Sequence, residues 1–221
     1  MIEASVLMGV PTYYHRLLQN PELEESSKNM RLFVSGSAPL LIQTHVQWRE
    51  RTGHAILERY GMTETNMNTS NPYDGERRAG SVGVPLRGVE VLVTNPESGQ
   101  ILPPGEIGML EVRGPNVFKG YWGMPEKTTK ELRENGFFIT GDLGTISEDN
   151  YVSIVGRSKD LIISGGENVY PKEIEVLLNG LDGILESALI GIPHPDLGEG
   201  VVAVIVPQSG AKLNQGTILT K

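Results

Sequence analysis

The chain has 221 residues, 38% of them hydrophobic, enough apolar content for a buried core and for one large or two small domains. A net charge of −8 with no basic cluster argues against a nucleic-acid surface, so an anionic ligand has to be met by local positive groups. The absence of cysteine excludes disulfides, thiolate zinc sites and a cysteine nucleophile, and fits a reducing compartment such as the cytoplasm. No apolar run reaches the ~20 residues of a membrane span, and Met1-Ile2-Glu3-Ala4 lacks the layout of a signal peptide.

Pro11 opens a helical pattern with apolar positions at Tyr14, Leu17 and Leu18, on which His15 reads as a surface residue. Residues 21–28 read as a charged, polar connection. A strand at 31–34, a tight loop Ser35-Gly36-Ser37-Ala38-Pro39, a helix over 40–51 with Pro39 near its first turn and Gly53 past its end, and a strand at 55–60 follow. Such a strand-helix-strand unit predicts two parallel strands in an α/β sheet, with ligands beyond their carboxyl ends. The loop at 35–39 and the stretch Gly61-Met62-Thr63-Glu64-Thr65 both fall at those ends. Hydroxyls of Thr63 and Thr65 suit phosphate oxygens, and Glu64 offers a hard oxygen for Mg²⁺. A polar loop after a strand explains the same residues without a ligand.

From Gly80 to Gly114 the pattern turns to short antiparallel strands, at 89–94 and 107–112, and residues 125–135 read as an exposed helix. Phe137-Phe138-Ile139-Thr140 is a strand that leads to Asp142, which by residue type is as much a turn-former as a ligand. A hairpin turn at 148–150 leads into a strand at 151–155, with Arg157 two residues past it. Beyond a boundary near Arg157-Ser158-Lys159-Asp160 come a strand at 161–163, a turn at Gly165-Gly166-Glu167-Asn168, a helix over 171–179 and strands at 186–192 and 201–207, the start of a small α+β module.

Taken together and in order, Glu58-Arg59-Tyr60-Gly61-Met62-Thr63-Glu64-Thr65, Gly105-Glu106-Ile107-Gly108, Gly120-Tyr121-Trp122, Thr140-Gly141-Asp142-Leu143, Gly156-Arg157-Ser158-Lys159-Asp160 and Gly165-Gly166-Glu167-Asn168-Val169-Tyr170-Pro171 resemble the adenylate-forming enzymes. That superfamily holds the acyl-CoA synthetases, the luciferases and the peptide-synthetase adenylation domains. Residues 53–72 are most similar to malonyl-CoA synthetases. The resemblance implies an α/β fold in which residues 1–157 are the C-terminal portion of the large AMP-binding domain and 158–221 begin the small mobile C-terminal domain, left incomplete.

It further implies an acid–CoA ligase that uses ATP, Mg²⁺ and coenzyme A, with malonate as acid and AMP and pyrophosphate as products. Thr63 and Glu64 are then catalytic, Thr63 at the α-phosphate and Glu64 on the metal. Ser37, Ala38, Pro39, Tyr60, Gly61, Met62, Asp142 and Arg157 join Thr63 around ATP or AMP, Asp142 on the ribose. Lys159 matches the hinge, and Gly165 and Gly166 match the coenzyme A tunnel. Arg59, with Ser37, is expected to hold the second carboxylate of the acid. Another short acid or dicarboxylate such as methylmalonate, or a binding module without catalysis, are the alternatives. Neither a phosphate loop followed by lysine nor a terminal catalytic lysine is found, and Lys221 does not match the latter, so the chain is expected to be an internal piece of a longer enzyme and inactive alone.

Overall fold

The first helix starts where the sequence places it, because proline at its first position needs no N–H partner and arrives with helical φ. In the computed structural model, which describes residues 4–214 together with Gly216 and Ile218, that helix (α1, Pro11–Leu17) follows a strand, β1 (Val6–Gly9). Lys221 and Met1-Ile2-Glu3 lie outside the described residues. The chain divides into two compact units, Met1–Ile154 and Val155–Lys221.

In the first unit, residues 21–28 are not merely a connection: α2 (Leu23–Ser27) forms there, burying Leu23 and Ser27 one turn apart. A single apolar residue per turn among glutamates gives almost no periodic signal. Then come β2 (Leu32–Ser35), α3 (Ile42–Thr52) and β3 (Leu57–Met62), with β1–β2 and β2–β3 parallel as the unit predicts. Gly53 caps α3 in the left-handed conformation. Pro39 lies before the N-cap Leu41 rather than in the first turn, so it shapes the loop, not the helix. Behind this sheet, Tyr14, Leu18, Leu23, Phe33, Leu40, Trp48 and Ile56 form one core, with the Tyr14 and Phe33 rings edge-on to Trp48 at 4.9 and 5.0 Å.

The strand expected to stop at Tyr60 runs on through Gly61 and Met62, then turns into β4 (Asn66–Ser70), which pairs antiparallel with it and with β5 (Val84–Pro85). Gly61 is required there, since a Cβ would lie 1.9 Å from the Asn66 carbonyl oxygen. A second sheet has the order β6 (Glu90–Thr94), β7 (Gly108–Arg113), β8 (Phe138–Ile146) and β9 (Val152–Arg157), with β6–β7 and β7–β8 antiparallel.

Between β7 and β8, α4 spans only Pro125–Glu131, because Leu132 turns extended and bridges to Phe138. Arg133 is thereby placed on buried Glu111, with bonds of 2.6 and 2.7 Å to its two oxygens.

In the second unit the sheet order is β11 (Glu167–Val169), β10 (Ile162–Ser164), β13 (Gly198–Pro207), β12 (Ile184–His194), with α5 (Pro171–Asn179) matching its predicted bounds. Ile162, Leu178, Ile184 and Leu189 make its core. Glu167 and Asn168, expected in a turn, belong to β11, so the turn is Gly165-Gly166.

Candidate active site

Successive side chains of a strand face opposite ways, and β3 uses this to separate two charges. Glu58 points back to α3, where its carboxylate stands 3.6 Å from His45 Nδ1, an ion-pair rather than a hydrogen-bond distance. Both are buried, at 5% and 3% exposure. Burial pushes the Glu58 carboxyl up, opposed by His45 and by the backbone amides of Leu40 and Gly80.

A carboxyl whose folded pKa is raised contributes stability that is complete below its unfolded value and is lost as pH rises through the folded one. Glu58→Gln is therefore expected to match the wild type in urea unfolding near pH 4 and to exceed it by about 1 to 2 kcal/mol at pH 8. A wild type more stable than the variant at pH 8 would show instead that the buried Glu58 carboxylate is net favourable.

Arg59 faces the other way. One terminal nitrogen of its guanidinium is 2.6 Å from the Met67 sulfur, the other 3.5 Å from the Met8 sulfur, and its Nε is buried without a partner. Thioethers are weak acceptors and carry no charge. Among the described residues no carboxylate lies within 4.0 Å of Arg59, whereas Arg51, Arg78, Arg113 and Arg133 each have one. The arginine stem crosses Gly36, where an added Cβ would sit 3.4 Å from the Arg59 Cγ. Arg59 is thus brought beside the Ser37 loop. Ser37 itself is exposed with φ +68, a strained setting for a serine, and Ala38 and Pro39 are exposed next to it.

Asp142 was expected at a strand end; it lies inside β8 and is buried. Opposite it, register jumps between Met109 and Glu111, and Gly141 takes φ +76, so the strand bulges and re-aims the carboxylate. The Tyr60 hydroxyl donates to Asp142 Oδ2 at 2.6 Å. Two residues that the sequence put in one site, from different sheets, therefore touch. Thr63 is exposed at the tip of the β3–β4 hairpin, with Met62 ending β3 just before it and Thr65 buried behind it.

Glu64, on the same tip, is 3.2 Å from the Tyr121 hydroxyl, which also bonds Glu131 at 2.7 Å. Tyr121, Glu131 and the sulfurs around Arg59 carried no role in the sequence reading. Tyr121 lay in the Gly120-Tyr121-Trp122 motif and Met67 in the 53–72 stretch, whereas Met8 and Glu131 lay in neither.

In the second unit, Lys159 sits in a short 3₁₀ turn, Ser158–Asp160, and Gly165 and Gly166 join β10 to β11. Arg157 ends β9 rather than following it.

A model of the AMP-binding enzyme family matches residues 1–122, and the chain belongs to that family. A malonate–CoA ligase of Arabidopsis thaliana is 41% identical over 94% of this chain and 35% of its own length. The ATP-bound crystal structure of MatB from Rhodopseudomonas palustris is 63% identical, with a TM-score of 0.96 over 98% of this chain and 43% of that one. A malonyl-CoA ligase in a product complex with methylmalonyl-CoA and AMP is 46% identical, with a TM-score of 0.64 over 97% of this chain and 47% of that one. The chain thus spans less than half the length of these relatives. The likeness bears out the expected adenylate-forming α/β fold.

Proposed function

We propose that this chain is part of an ATP-dependent acid–CoA ligase whose acid is malonate. The observation that carries the reading is Arg59, a guanidinium held at the sheet mouth by sulfur alone, with no carboxylate partner among the described residues. Malonate keeps one carboxylate after the other is activated, and the arginine fork suits that spare group through two parallel hydrogen bonds. Ser37 assists from the adjoining loop.

In the first half-reaction one malonate oxygen attacks the α-phosphorus of ATP and pyrophosphate leaves. In the second the coenzyme A thiol attacks the acyl carbon and AMP leaves. Two anions must meet in the first step, so positioning and charge neutralisation dominate. Thr63 is assigned to the α-phosphate, Asp142 to the ribose, steadied by Tyr60, and Ser37, Ala38, Pro39, Gly61 and Met62 to the adenosine surroundings. Arg157 is assigned near ribose or phosphate, Lys159 to a hinge between the half-reactions, and Gly165 and Gly166 to the pantetheine passage.

Glu64 is assigned to Mg²⁺. Among the described residues no group of three or more histidines and carboxylates could hold a metal by itself. That fits an ion which arrives with the nucleotide, since Mg²⁺ takes one or two carboxylates and fills its remaining places with phosphate oxygens and water. The ion would draw charge from the phosphates.

The test is malonate-dependent ATP–pyrophosphate exchange by a full-length ligase carrying this segment, run beside methylmalonate, acetate, butyrate and ferulate. Malonate is expected to give the highest kcat/KM, and the segment alone is expected to give no sustained AMP release. A monocarboxylate preferred over malonate would overturn the substrate assignment.

A further inference from the structure

The stretch between β7 and α4 lies over the hairpin tip as a strap. Asn116 donates its amide to the Thr65 carbonyl at 2.6 Å, the Phe118 N–H donates to the Glu64 carbonyl at 2.8 Å, and the Tyr121 hydroxyl reaches the Glu64 side chain. Tyr121 is itself held on several sides. Phe118 packs edge-on at 4.8 Å, the Lys127 ammonium sits 4.0 Å from the ring centroid, and the Tyr121 N–H donates to the Thr128 hydroxyl. A cation over the ring draws electron density from it and strengthens the phenol as a donor.

A phenol has one proton, and here two carboxylates compete for it. Burial first, then the bond to Glu131 and the charge of Glu64, push the Tyr121 phenol far up, so it stays protonated through the neutral range. The shorter contact is to Glu131 Oε2, at 2.7 Å against 3.2 Å to Glu64 Oε1. The phenol therefore touches Glu64 closely enough to fix one oxygen. Glu64 Oε2 meets no hydrogen-bond donor among the described residues.

We infer that Tyr121 is the positioning residue for Glu64: anchored to Glu131, it holds Glu64 Oε1 and leaves Oε2 open to a divalent cation. The inference rests on the reading of Glu64 as the cation ligand. Without the hydroxyl, the Glu64 side chain regains rotamer freedom that cation binding must then remove.

The test uses full-length ligase carrying this segment, α,β-methylene-ATP and Mn²⁺ in place of Mg²⁺, with free Mn²⁺ followed by paramagnetic resonance. Tyr121→Phe is expected to weaken Mn²⁺ binding about 3- to 10-fold, the range of an ordinary net hydrogen bond, as suits a contact of 3.2 Å. The KM for malonate and the melting temperature should stay at wild-type values. Wild-type Mn²⁺ binding in Tyr121→Phe, with binding lost in Glu64→Gln, overturns the role of Tyr121 and leaves Glu64 as ligand. Unchanged binding in Glu64→Gln overturns both. Should Tyr121→Phe fail to fold, Glu131→Gln decides: a weaker, neutral acceptor loosens the anchor on the Tyr121 hydroxyl, so Mn²⁺ binding should weaken there as well. Wild-type Mn²⁺ binding in Glu131→Gln overturns the proposal.

Discussion

Arg59→Leu, made in a full-length ligase carrying this segment, is expected to lower kcat/KM for malonate at least ~30-fold, the low end of the ~2 to 5 kcal/mol lost when one member of a buried charged pair is removed. Turnover of butyrate should hold or rise, because the charge that rejects an apolar tail is gone. The variant should fold. Among the described residues the Arg59 guanidinium hydrogen-bonds only to the Met8 and Met67 sulfurs and its stem passes Gly36, surroundings that a leucine satisfies. Steady-state kinetics on both acids decide the matter, and equal losses on malonate and butyrate would show that Arg59 serves the fold rather than the substrate.

The second large effect concerns stability. Gly83 has φ +84, and a Cβ there would lie 1.9 Å from the Ser70 carbonyl carbon and 2.0 Å from the Asn71 nitrogen. Its own carbonyl accepts from Val152 at 2.8 Å, which ties the residue just before β5 to β9. Neither wall can give way, since Ser70 belongs to paired strand β4 and the Asn71 N–H is bonded to the Glu58 carbonyl at 2.9 Å. Gly83→Ala is expected to cost at least ~3 kcal/mol, with the urea midpoint falling accordingly. Gly88→Ala is the matched control: φ is +82, yet nothing lies within 4 Å of the added carbon. It should cost only the ~1 to 2 kcal/mol of an L-residue in left-handed backbone. Equal losses in the two variants would mean that backbone conformation, not collision, governs Gly83.

What could be read from the residues alone follows from the range of each signal. Local chemistry placed α5, the Gly53 cap and the parallel β2–α3–β3 unit, because proline, glycine and apolar spacing act within a few residues. Structure created by distant partners was not legible. Asp142 looked terminal because Gly141 reads as a turn; only pairing with β7 turns that glycine into a bulge. The β3–β4 hairpin was missed since Asn66-Met67-Asn68-Thr69-Ser70 has little strand propensity and is held by its neighbours. Of the site, Arg59 was legible as a charge out of place, while its sulfur surroundings depend on Met8, fifty-one positions away in sequence.

Tyr60 occupies an unusual place between the two sheets of the first unit. Its backbone belongs to β3 in the first sheet, its ring packs with Val93, Leu110 and Val152 from the second, and its hydroxyl ends on Asp142 in β8. The ring is a knob from one layer seated in the other, and the hydroxyl is a strut that sets their spacing at the point assigned to the nucleotide. Sliding of one layer over the other must break that bond and open that core together. A molecule bridging Thr63 and Asp142 would therefore feel the two sheets as a single stiff body, and its residence there would brace the same joint that the tyrosine already closes.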